Sequence, residues 1–171
     1  MEKSRIYLNQ FCFYHCCLCL TLYGMADRYR LTGKCLKGSK MLKLKRSLCT
    51  ECQICMAICS FSHFGENTTK RSRIHVESDW PKVPAINVCL ACQDHECVTA
   101  CPHEALGWQD WVRLDKDRCD GCAVCVDACP VNGIRMDSQT DLPLICDTCE
   151  GSFQCVQWCP TGAVQKRNIR S

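Results

Sequence analysis

The sequence predicts an α+β fold built by repetition, each unit being a cysteine-bearing loop, a helical turn and a small β-hairpin. Three observations carry that expectation. The chain has 171 residues, of which 21 are cysteine and only 8% aromatic, so cysteine chemistry rather than bulky side-chain burial must organise the core. Sixteen of those cysteines lie between Cys49 and Cys159 in four groups of four, an internal repeat with variable inserts. The segments ALGWQDWVRLD and GIRMDSQTDLPLI, after the second and third groups, each hold two short strand-like runs. In the first, Val112 and Leu114 alternate with Arg113 and Asp115, the period of a half-buried strand.

The groups can be taken in order. The first, CTECQICMAIC, holds Cys49, Cys52, Cys55 and Cys59. The second, CLACQDHECVTACP, holds Cys89, Cys92, Cys97 and Cys101. The third, CDGCAVCVDACP, holds Cys119, Cys122, Cys125 and Cys129. The fourth, CDTCEGSFQCVQWCP, holds Cys146, Cys149, Cys155 and Cys159. Groups one and three carry the C-x2-C-x2-C-x3-C spacing of bacterial ferredoxins. Groups two and four widen the second gap, and all four keep the final C-x3-C.

A [4Fe–4S] cube needs four thiolates, one per iron. A tight loop can wrap three corners and point its backbone N–H groups at the cluster sulfurs. The fourth cysteine then serves the other cluster of a pair. It is expected at the start of a short helix, with Pro102, Pro130 or Pro160 in the first turn, where a missing N–H costs little. Zinc sites pair two C-x2-C units and have no use for a third loop cysteine. Disulfides suit secreted chains with an even cysteine count, and here the count is odd. Four [4Fe–4S] clusters are therefore expected.

Other features exclude functions. No apolar run reaches the length of a membrane span, so no transmembrane segment is expected. Residues 1–40 carry a net charge of +5 and residues 41–171 a net of −2, so the cysteine-rich part shows no basic patch for nucleic acid. Four cubes at −2 each would make that part strongly acidic and favour a basic partner face. His63, His75, His95 and His103 are read as loop or surface histidines, because each group already supplies four cysteines. Trp158 is read as a packing residue, and Lys70, Arg71 and Arg73 as a solvated loop. No nucleophile–base pair or phosphate loop appears, so no catalytic residue is assigned.

Over residues 41–168 the chain resembles the four-cluster ferredoxin-like electron-transfer subunits of molybdopterin and tungstopterin oxidoreductases, formate dehydrogenases and hydrogenase complexes. The stretch CSFSHFGENTTKRSRIHV (59–76) and the tail CPTGAV (159–164) look most like the small iron–sulfur partner of tungsten aldehyde oxidoreductases. The resemblance implies tandem bacterial-ferredoxin-like modules, one inserted in the other. Residues 79–140 would form the inner module, and 41–78 with 141–168 the outer one. It implies four ligand sets: Cys49, Cys52, Cys55 and Cys159; Cys89, Cys92, Cys97 and Cys129; Cys119, Cys122, Cys125 and Cys101; and Cys146, Cys149, Cys155 and Cys59. It also implies a cytoplasmic, non-catalytic relay with a large pterin-containing catalytic subunit and a second redox partner. A freely diffusing polyferredoxin carrier, or a hydrogenase-complex subunit, is the alternative.

Residues 1–40 fit none of this. Cys12, Cys16, Cys17, Cys19 and Cys35 match no cluster spacing. The segment is expected to be disordered or not native, with Met41 as the start.

Overall fold

The computed structural model describes residues 41–78 and 80–167. The expectation for residues 1–40 lies outside them. The elements run β1 (Leu42–Leu44), a single 3-10 turn (Arg46–Leu48), α1 (Ile54–Phe64), β2 (Ile74–Glu77), β3 (Ala85–Val88), α2 (Glu96–Thr99), β4 (Leu106–Trp108), β5 (Val112–Leu114), α3 (Val124–Asp127), β6 (Arg135–Met136), β7 (Pro143–Leu144), α4 (Gln154–Gln157) and β8 (Val164–Lys166).

The strands form four two-stranded antiparallel sheets, β1–β8, β2–β3, β4–β5 and β6–β7. A lone hairpin is marginal in water, so each must bury one face on something else. In β2–β3, Ile74 faces Val88 and Val76 faces Ile86, and all four are buried. The exposed Glu77 and half-buried His75 occupy the intervening positions, the alternation that fixes register. The ALGWQDWVRLD segment makes β4 and β5, with Trp108 opposite Val112 and Leu106 opposite Leu114. The first and last described strands meet in β1–β8, where Leu44 pairs with Val164. Helix α1 packs on α4 and β2, and α2 packs on α3. The core mixes Met41, Leu42, Met56, Ile86, Val88, Val112 and Ile134 with buried cysteines such as Cys55, Cys59, Cys89 and Cys129. These are small ferredoxin-like units of short helices and hairpins.

The helices differ from expectation. They begin one residue before the third cysteine of each group and not at the fourth. Cys97, Cys125 and Cys155 lie in α2, α3 and α4, whereas Cys101, Cys129 and Cys159 lie just beyond them. Pro102, Pro130 and Pro160 therefore stand in turns. The physical reason is that proline lacks the N–H a helix interior needs but tolerates a turn. Only α1 runs on through its fourth cysteine, because no proline follows Cys59; it ends at Gly65, whose φ of +70° suits glycine.

Three side-chain expectations also change. Arg71 and Arg73 are held in ion pairs with Asp137, Glu66 and Asp147. Trp158 is 57% exposed. His63 lies in the last turn of α1 and His75 within β2, so neither is in a loop. Among the described residues no helix is long and apolar enough to cross a membrane.

Candidate metal centre

The four loops share a backbone code that their sequences conceal. The residue before each second cysteine is left-handed: Glu51 (φ +57°), Ala91 (+53°), Gly121 (+77°) and Thr148 (+60°). So is the residue two before each third cysteine: Gln53 (+58°), His95 (+46°), Ala123 (+60°) and Phe153 (+50°). Each non-glycine in this region costs on the order of 1 kcal/mol and persists only where its surroundings demand it. Seven of these eight positions carry a side chain. The repeat survives the wider second gaps of groups two and four, so the turns and not the residue count define the loop.

These turns bring cysteines from distant groups together. One cavity is lined by Cys49, Cys52, Cys55 and Cys159, with Val76, Ile86 and Val164 as apolar wall. A second is lined by Cys89, Cys92, Cys97 and Cys129, with Val112 and Ile134. A third is lined by Cys101, Cys119, Cys122 and Cys125, with Leu106 and Pro143. Burial and then Cys59 raise the Cys149 thiol, burial and then Cys59 and Cys149 raise that of Cys155, and Cys146, raised first by burial, also feels Cys155 and Cys59. Neighbouring sets also sense each other: Cys155 feels Cys55, Cys146 feels Cys89, and Cys97 feels Cys125. Cys52 and Cys122 are the two exposed cysteines of the sixteen described.

Backbone donors reach the sulfurs. Ala105 N–H donates to Cys101 Sγ at 3.3 Å and Gly133 N–H to Cys129 Sγ at 3.2 Å. Arg73 N–H serves Cys59 at 3.3 Å and Thr148 N–H serves Cys146 at 3.5 Å. Cys159 is the exception in charge preference. Burial pushes its thiol up, but backbone donors at Val164, Thr161 and Ala163, with the Thr161 side chain, bring it below the ordinary value. Ala105, Gly133 and Ala163 each stand four residues after the fourth cysteine, and all three are buried. The motifs CPHEA, CPVNG and CPTGA held that signal, a small residue at a fixed offset, and sequence reasoning missed it.

Several buried thiols go the other way. Burial first, and then Cys49, Cys52 and Cys159, pushes Cys55 up to about 12. Burial and neighbouring cysteines likewise push Cys97 and Cys155 to about 12. Burial, with smaller contributions from neighbouring cysteines, takes Cys89 and Cys125 to about 11. Four thiolates cannot crowd an apolar cavity without cationic charge between them. None of the sixteen described cysteines is in a disulfide. A donor set of four sulfurs, apolar walls and N–H groups aimed at sulfur fits a thiolate-held iron–sulfur cube. His63 and Asp147 lie beside Cys149, and His103 and Asp120 beside Cys122, but the cavities already supply four cysteines each, the count a cube uses.

A histidine side chain also reaches a cysteine. His63 Nε2 lies 3.6 Å from Cys149 Sγ and 3.4 Å from Asp147 Oδ1. Burial and then Arg73 lower its pKa, against Asp147 and Glu150, which raise it. Only an (i, i+4) reading from Cys59 along α1 could have hinted at this.

Two stretches of the chain match one family description, the 4Fe-4S dicluster domain, at residues 48–106 and 118–163. The chain carries two 4Fe-4S dicluster domains. Together they account for four [4Fe–4S] clusters in this iron–sulfur protein. Each matched stretch takes two consecutive cysteine groups, while the backbone joins the first group's α1 to the last group's α4. The polyferredoxin-like subunit of an aliphatic sulfonate oxidoreductase from Pyrococcus furiosus is 34% identical over 102 residues, 58% of this chain and 59% of that one. Subunit beta of an NADH-dependent phenylglyoxylate dehydrogenase from Aromatoleum evansii is 35% identical over 105 residues, 58% of this chain and 24% of that one. Formate hydrogenlyase subunit 2 from Escherichia coli is 30% identical over 99 residues, 57% of this chain and 48% of that one. The match thus spans less than two thirds of each of these relatives. A solved structure, the active site complex BamBC of benzoyl coenzyme A reductase, aligns over 76% of this chain and 77% of the other at 23% identity and a TM-score of 0.41.

Proposed function

We propose that the chain is a non-catalytic electron relay, held as a cytoplasmic subunit between a large pterin-containing oxidoreductase subunit and a second redox partner. The observation that carries this reading is the succession of the four cysteine sets. Helices α1 and α4, which carry Cys55 and Cys155, pack together, as do α2 and α3, which carry Cys97 and Cys125, and the Cys89 thiol is near enough to Cys146 to add to the upward push that burial gives it. Exposed Cys52 and exposed Cys122 then belong to the first and last sets.

On this reading the ligand sets are Cys49, Cys52, Cys55 and Cys159; Cys59, Cys146, Cys149 and Cys155; Cys89, Cys92, Cys97 and Cys129; and Cys101, Cys119, Cys122 and Cys125. Each bound cube supplies a one-electron couple. The chain's own residues do the rest. Val76, Ile86, Val112 and Ile134 keep water from the cavities, which holds the effective dielectric low. The backbone N–H groups of Arg73, Ala105 and Gly133 stabilise negative charge on the ligand sulfurs and so favour the reduced state. With four cysteines at each set no iron position is left open for substrate, which is why the role is transfer and not catalysis. The pairing of β1 with β8, and of α1 with α4, supports a module of residues 41–78 and 141–168 wrapped around an inner module of 79–140.

Three relatives are named as subunits of larger oxidoreductases or lyases, which supports the subunit role. The tungsten aldehyde oxidoreductase partner rests on the resemblance of residues 59–76 and 159–164. The test is anaerobic. The isolated chain should be reduced by dithionite, reoxidise reversibly, and turn over no aldehyde or formate. Substrate turnover by the single chain contradicts the relay. Co-elution with a pterin-containing chain supports the subunit, and elution alone supports a free carrier.

A further inference from the structure

We propose that the face around Cys52 seats a permanently bound protein subunit whose own surface is apolar at its centre and acidic at its rim. The proposal rests on the relay reading and assigns the partner of one end. Seven large apolar side chains are exposed among the described residues, and three of them directly precede ligands of one set. Leu48 precedes Cys49, Ile54 precedes Cys55 and Trp158 precedes Cys159, with exposures of 42%, 39% and 57%. The fourth cysteine of that set, Cys52, is itself exposed. At the other end only Val124, 38% exposed, stands in the matching position. Grouped exposed apolar side chains mark a surface meant to be covered by protein, and a tryptophan at such a centre is a typical anchor.

The charge around the patch chooses the occupant. Residues 41–54 and 157–167 hold five Lys/Arg against the single acid Glu51. Lys45, Arg46 and Lys166 are exposed. The N–H of Lys45 bonds the carbonyl of Ala163, which lines the same cavity. A bound cube of charge −2 lowers this excess without reversing it. Residues 101–127, around Cys122, hold six acids against three Lys/Arg. The two ends therefore attract opposite partners, and an acid-rimmed subunit is steered to Cys52 and repelled from Cys122. The expectation of a basic partner face applies to the Cys122 end.

The experiment uses the full chain, tagged and purified anaerobically from its host with whatever binds it. A photo-crosslinking residue, Trp158→p-benzoylphenylalanine, is compared with Val124→p-benzoylphenylalanine. The expected result is a crosslink from position 158 to one co-purifying chain, at a peptide flanked by Asp and Glu, and none to that peptide from position 124. Ile54→Glu should weaken the complex by about tenfold or more. Lys45→Glu with Arg46→Glu should weaken it too, by an amount that shrinks as salt rises. Iron content and reversible dithionite reduction, measured on each variant, report on the relay separately. If those fail in the unaltered chain, the relay reading fails and not the docking face. Absence of any stable co-purifying chain overturns the proposal, as does a complex indifferent to Ile54→Glu. So does a crosslink from position 158 to residues 1–40 or to a second copy of the chain.

Discussion

Arg71 and Asp137, 66 positions apart, are joined through a single oxygen: Asp137 Oδ2 accepts from Arg71 Nη2 at 2.9 Å and from Nε at 3.1 Å. The same oxygen accepts from Thr140 Oγ1, while Gln139 N–H donates to Oδ1. The pair ties the segment after α1 to the turn between β6 and β7. Asp137 is 2% exposed, so its charge depends on these partners. Burial pushes its carboxyl up, but Arg71, Gln139 and Thr140 together hold it below the usual carboxylate value.

Asp137→Asn should therefore lower the thermal midpoint at pH 7. A depressed carboxyl contributes stability above its unfolded value, near 4, and loses it as pH falls through the folded value. The gap between wild type and Asp137→Asn should close on titration below about pH 4. Melting both proteins at each pH cancels any acid loss of cluster, which they share. A gap that widens in acid contradicts this account of the pair.

Two glycines are required for space. A Cβ on Gly121 would lie 2.6 Å from the Asp141 carbonyl oxygen, and one on Gly133 would lie 2.5 Å from the Val88 carbonyl carbon. Both are backbone atoms and cannot swing away. Gly133→Ala should drop iron from about sixteen toward about twelve per chain, because its N–H also serves Cys129. Gly107→Ala, which would meet nothing within 4 Å, should leave iron unchanged. Metal analysis of the two purified variants decides the matter.

His63→Leu removes the ring nitrogen 3.6 Å from Cys149 Sγ. Loss of a donor near a ligand sulfur disfavours the reduced state, so one of the four couples should move to lower potential. Anaerobic spectroelectrochemistry reads it directly. An unchanged set of potentials would show that the donor serves Asp147 alone.

The cysteine groups were legible because ligation dictates residue type at fixed spacing, and the hairpin from Leu106 to Leu114 was legible from its period. The helix positions were not. C-x3-C fits a helix starting at either cysteine, and only the turn that a proline prefers decides it, as at Pro102 and Pro130. The left-handed positions were hidden because Glu51, Ala91, Gln53 and Phe153 are poor residues for that conformation. Tertiary demand overrides their local preference. The Arg71–Asp137 and His63–Cys149 relationships join positions far apart in sequence, where charge runs and composition carry no information.

Counting iron, acid-labile sulfide and zinc in anaerobically prepared protein tests the central claim most directly. Four cubes predict about sixteen iron and about sixteen sulfide per chain, with no stoichiometric zinc. Stoichiometric zinc, or about eight iron, would contradict the four-cluster account.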